Sequence, residues 1–173
     1  MSKKKPKTAL SNEVQIDEIS LFDRVAEIIE TRKFRAGAYA NREVTLMYWK
    51  IGRYINTAVL DGGRAEYGKR IVATLSQQLV LRYGKSFDIH NLRRMMRFAE
   101  KFHDFTIVAP LAQQLSWSHF DEILRIDSEE ARLYYANEAA QRRFSRKELR
   151  RQISRKAYER QEITQHQTTG SFP

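Results

Sequence analysis

At 173 residues the chain suits one domain of ordinary size, and 42% hydrophobic residues with 11% aromatics give it enough apolar surface to fold. Its formal net charge of +10, from 31 Lys and Arg against 21 Asp and Glu, points to a polyanionic partner, with nucleic acid the leading expectation. Cysteine is absent, which excludes disulfides, thiolate metal ligands and a cysteine nucleophile, and suits a reducing compartment.

Residues 1–13 open with Lys3, Lys4, Lys5 and Lys7 and show no apolar period, so a disordered basic tail is expected there. Ser11, Asn12, Glu13 and Asp17 follow instead of an apolar stretch, so the lysines do not read as an export signal. The uncharged stretch from Phe105 to Phe120 is broken by Pro110 and is too polar and short to span a bilayer. The expectation is a soluble cytoplasmic protein with no membrane contact.

From Ile16 to Leu60 the apolar residues keep helical spacing: Leu21, Val25, Ile28 and Ile29, then Val44, Met47, Tyr48, Ile51 and Ile55. One long helix satisfies the pattern, and so do two helices meeting near Gly37. Gly52, inside the second half, costs a helix about 1 kcal/mol relative to Ala. It reads either as a close helix approach or as a tolerated glycine.

Asp61, Gly62 and Gly63 form a break, after which Ile71, Val72, Leu75 and Leu79 define a helix over 65–82. Gly84 can end it in the left-handed conformation, and Asp88 can cap the next, which runs from about Ile89 to Phe102. The apolar face of that helix is Leu92, Met95, Met96 and Ala99. Opposite it, His90, Arg93, Arg94, Arg97 and Lys101 recur at i, i+3, i+4, i+7 and i+11, a cationic stripe suited to a groove lined by phosphates. A solvated charged face is the competing reading. The turn is longer than that of a strict helix-turn-helix, so the pair is helix-turn-helix-like.

After Pro110 the spacing predicts a short helix over 111–115, then one from about His119 to Ile126 capped by Ser118. Asp127 and Ser128 introduce a helix with Glu129 and Glu130 in its first turn, where the helix dipole favours acids. Ser145 opens the last helix, with Glu148 at capping-box spacing and Leu149, Ile153 and Tyr158 along one side. This segment, 142–160, is densely basic, and Arg150, Arg151 and Arg155 are secondary candidates for phosphate contact. Residues 161–173 read as a second disordered tail. The whole is an all-α, multi-helix domain with a long N-terminal helical region.

No constellation predicts catalysis, and no cofactor or metal is expected. Ser116, Ser118, His119 and Asp121 supply triad letters, but neighbours on one turn are not expected to form a nucleophile, base and orienter. His90, His103, His119 and His166 lack metal-ligand spacing, and no glycine-rich phosphate loop is present. Trp49 and Trp117 sit within apolar helical patterns and read as core anchors.

The stretches LMYWKIGRYI from Leu46, RAEYGKRIVATLSQQL from Arg64, RYGKSFDIHNLRRMMRFAEKF from Arg82 and QLSWSHFDEIL from Gln114 resemble the YhcG-type N-terminal domain. The likeness continues through EEARLYYANEAAQRRFSRKELRRQI to Ile153. It implies one helical domain over 14–160, of a bacterial and archaeal family whose members join it to a C-terminal PD-(D/E)XK nuclease domain. No Asp or Glu here is followed two residues later by Lys, so the metal-binding signature of that nuclease is missing from the chain. The resemblance therefore implies a DNA-binding or targeting module, not itself an enzyme, acting with a nuclease domain or chain. A helical protein-interaction or dimerisation domain, with the chain as a homo-oligomer, is the alternative, carried by the long first helical region.

Overall fold

The computed structural model describes the backbone of residues 18–61 and 65–169 and the side chains of 26–59 and 68–164. The two short tails at 1–13 and 170–173 and the Gly62–Gly63 break lie outside the described residues. Within them are α1 (Glu18–Asp61), α2 (Ala65–Tyr83), a 3-10 turn (Lys85–Phe87), α3 (Ile89–Lys101), α4 (Phe105–Leu111), α5 (Trp117–Ile123), α6 (Glu129–Gln141), α7 (Arg146–Ser154) and α8 (Ala157–Thr169), and no strand. The all-α class holds.

Contacts divide the chain into residues 1–36 and 37–173. In the first unit the described side chains belong to one helical segment, and Ile28, Ile29 and Phe34 are exposed along it. α1 is continuous through Gly37, so one long helix is the outcome where the spacing allowed two.

The second unit holds two apolar cores. One gathers Ile55, Val72, Leu92 and Met95, with Tyr48, Leu75, Leu79 and Phe87 packed around them. The other gathers Leu46, Trp49, Phe98, Ala99 and Phe102 with residues of α4 to α7, among them Phe120, Ile123, Tyr135 and Leu149. α3 belongs to both, through Leu92 and Met95 on one side and Phe98 and Ala99 on the other. Complete burial of a Leu, Met or Phe side chain stabilises by roughly 1.5–3 kcal/mol, so this helix is anchored several times over.

Backbone contact fixes α3 as firmly as its side chains do. A Cβ on Gly52 would lie 1.8 Å from the carbonyl oxygen of Met95, so the glycine is a close helix crossing. Around it the Trp49 indole N–H donates to the Phe102 carbonyl at 2.6 Å, Arg53 donates to the His103 carbonyl at 3.0 Å, and Asn56 donates to the Met96 carbonyl at 2.9 Å. Two of these carbonyls lie at the C-terminal end of α3, where the helix has no partners of its own to offer.

Several boundaries differ from those the sequence predicts. Helix α4 lies before and through Pro110, not after it. Asp104 caps it, accepting from Thr106 N–H at 2.8 Å, and Pro110 occupies its last turn. α5 starts at Trp117 with Ser116, not Ser118, as its N-cap. The expected last helix is two, because Lys156 adopts φ 53° and breaks the run. The Tyr135 hydroxyl then accepts the orphan N–H of Tyr158 at 3.1 Å and so helps to start α8. Helix α8 reaches Thr169, so residues 161–169, expected in a tail, are helical.

Candidate nucleic-acid interface

The helix pair with its intervening turn is built locally as the sequence suggests. Gly84 N–H bonds back to the Val80 carbonyl at 2.9 Å, ending α2. Its φ of 89° and ψ of −177° lie in a region open essentially to glycine alone, not in the left-handed helical region. Ser76 Oγ donates to the Phe87 carbonyl at 3.2 Å and ties the turn to α2. Asp88 caps α3, accepting from the Asn91 N–H at 2.8 Å. The buried face of α3 is Leu92, Met95, Phe98 and Ala99, with Met96 only half-buried.

Because that face is fully engaged, the cationic stripe points outward, but its five members divide. His90, Arg93 and Arg97 are exposed, and their side chains make no hydrogen bond or ion pair with the described residues. Arg94 leans toward α5 and pairs with Asp121 at 3.6 Å. Lys101 is spent within the fold: its ammonium donates to the carbonyls of Leu124 and Ile126 at 3.1 and 3.0 Å and pairs with Asp127 at 3.2 Å. Arg132, 6% exposed, donates to the same Ile126 carbonyl at 3.0 Å and to that of Asp127 at 2.6 Å, so two cations hold the α5–α6 loop.

The secondary candidates divide in the same way. Arg150 donates through Nε to Glu122 at 3.2 Å and through Nη2 to its other oxygen, while Arg146 Nε reaches Glu122 at 2.7 Å. Glu122 is only 4% exposed, and the Arg150 guanidinium, with Arg146 beside it, holds its carboxyl down to about 2 against the burial that opposes ionisation. Arg151 pairs with Glu148 at 2.7 Å, and the exposed Arg155 side chain makes no hydrogen bond or ion pair with the described residues, although Glu148 feels its charge. Glu148 turns forward to Arg151 and Gln152, so Ser145 caps α7 without the return arm of a capping box.

The LSWSH stretch proves to be a joint. Leu115 is buried and Trp117 packs on Phe98 and Tyr48. His119 Nε2 lies 2.9 Å from the Phe144 carbonyl and so carries the proton it donates there, leaving Nδ1 to accept from the Ser116 N–H at 3.3 Å. Ser116 Oγ is 2.9 Å from Nδ1, a contact within the helix cap that brings two of the triad letters together. The third member does not follow, since the other nitrogen goes to a backbone carbonyl and Asp121 faces arginines. Trp49 is an anchor, as expected. No group of three His, Asp or Glu among the described residues is placed to hold a metal, and none of the described helices is long and apolar enough to cross a membrane.

Missed from the sequence was Arg125, which pairs with Asp121; Arg146, read there only as one of the basic residues of 142–160, joins α7 to Asp121 and Glu122. Asp121 and Arg125 stand at i, i+4, but only the third dimension puts both carboxylates beside Arg146.

Among curated proteins the chain is similar to one from Escherichia coli (strain K12) named "Putative nuclease YhcG", at 29% identity over 97 residues, 56% of this chain and 26% of that protein. The chain thus matches about a quarter of that relative's length. No solved structure matches it. The motifs behind the sequence resemblance coincide with what builds the fold, namely the Trp49–Gly52 crossing, the Asp88 cap and the LSWSH joint. With a match over residues 24–160, which takes in all of these, the chain belongs to the DUF1016 N-terminal domain family.

Proposed function

We propose that the chain is a DNA-binding or targeting module that acts with a nuclease supplied by another domain or chain, and that it does not itself cut DNA. The observation that carries this reading is α3, locked by two cores and a backbone crossing, with His90, Arg93 and Arg97 exposed and unspent on its outer face. A fixed cationic helix after a tight turn presents its side chains to a groove in one direction. The name of the Escherichia coli relative agrees with a nuclease-associated role. A helical interaction or dimerisation surface is the second reading, favoured by the exposed Ile28, Ile29 and Phe34 of α1.

The test is a salt titration of duplex DNA binding, run with Mg²⁺ and with the DNA checked for cuts. Neutralising about five phosphates gives a slope of log K against log salt near −4.5. Arg93→Ala with Arg97→Ala should weaken binding more than Arg151→Ala with Arg155→Ala, each pair removing two charges and neither touching Glu122. Equal losses would reduce the interaction to diffuse attraction. No binding at low salt, together with salt-insensitive self-association, would favour the second reading, and metal-dependent cutting would overturn the non-catalytic part.

A further inference from the structure

Three guanidinium groups converge on Asp121 of α5: Arg94 of α3 at 3.6 Å, Arg125 from the turn after α5 at 3.6 Å and Arg146 of α7 at 3.8 Å. One carboxylate offsets one of the three charges. Contacts this long are ion pairs without hydrogen bonds, and the guanidinium groups of Arg94 and Arg125 donate no hydrogen bond to any described residue. Arg146 spends its Nε on Glu122, and that carboxylate already serves Arg150 as well. The cluster of Arg94, Arg125, Arg146 and Arg150 against Asp121 and Glu122 is therefore left with surplus positive charge and free N–H groups. The three guanidinium side chains at Asp121 are 47%, 63% and 45% exposed, so those groups face water.

The geometry points to a phosphate subsite formed by Arg94, Arg125 and Arg146, through which the DNA interface on α3 continues over α5 to α7. A phosphodiester carries the missing negative charge, and its oxygens match the planar N–H fork of arginine. Asp121 keeps the three cations gathered when no phosphate is present, so the subsite is formed before DNA arrives. This inference rests on the DNA-binding reading and adds a residue to it, Arg125, that lies in neither basic helix.

Arg125 suits the test because its side chain is 63% exposed and its ion pair is with Asp121, Glu122 feeling only its charge. The 173-residue chain as wild type, Arg125→Ala, Arg125→Lys and Arg142→Ala would be titrated with one duplex, each checked for an unchanged melting temperature. Arg142→Ala removes an equal charge, paired with Glu138 on α6. Loss of one phosphate contact at 0.1 M salt lowers affinity about five- to tenfold and flattens the salt slope by about 0.9. That is the result expected for Arg125→Ala, with Arg125→Lys keeping the slope and Arg142→Ala losing less than about twofold. Equal losses in Arg125→Ala and Arg142→Ala would overturn the subsite and leave DNA binding standing. A wild type that binds no DNA would overturn the parent reading instead.

Discussion

Glu122 is nearly sealed from water yet ionised, and its charge is what ties α5 to α7 through Arg146 and Arg150. Its carboxyl titrates at about 2 in the folded protein against an ordinary 4.5. A depressed carboxylate contributes stability that is complete above the unfolded value and disappears as pH falls from 4.5 toward 2. Glu122→Gln should therefore lower stability at pH 7 by about 1–3 kcal/mol. Melting curves from pH 7 to pH 2.5 should show the gap between variant and wild type narrowing below 4.5. A gap indifferent to pH would mean that the amide fails for its shape and not for its lost charge. The same pairing rules out Arg150 as a neutral probe of DNA contact, because its removal leaves a buried acid short of a partner.

Among the elements, α1 and α3 meet where a side chain has no room. Gly52→Ala would force a Cβ into the Met95 carbonyl, a backbone atom that cannot rotate away. Such overpacking costs about 1–3 kcal/mol, more than the helix propensity that Ala brings. Chemical denaturation should show a loss of that order; a stabilised variant would mean that α1 and α3 separate easily. The sequence made this crossing one of two readings of Gly52, and it placed α2, the Gly84 turn and the Asp88 cap well because those signals are local. The reading failed where a local cap was overlooked and where distant contacts decide. Pro110 reads as a helix stop, yet Asp104 starts α4 early enough for the proline to sit in its last turn. Periodicity from Leu149 to Tyr158 suggests continuity, yet Lys156 in the left-handed region and the Tyr135 hydroxyl 23 residues away separate α7 from α8. The stripe on α3 was visible as spacing, but spacing along one helix says nothing of Asp121 or the Leu124 and Ile126 carbonyls, which claim Arg94 and Lys101.

Across the whole molecule, stability is unevenly shared. α8 is held through Tyr135 and local contacts such as Tyr158 to Glu162, and most of its described face is exposed. α3 is the wall common to both cores, so neither core can open while the other keeps α3 in place and unaffected. Amide hydrogen exchange should register this directly. Backbone amides of α3 from Leu92 to Ala99 should exchange only through global unfolding, with a denaturant dependence equal to that of the whole unit, whereas those of α8 should exchange by fraying at little cost. Exchange of α3 at an intermediate free energy would show that one core opens alone. Otherwise the helix proposed to meet DNA is the last to let go of its own protein, and the exposed His90, Arg93 and Arg97 keep their places as long as any fold does.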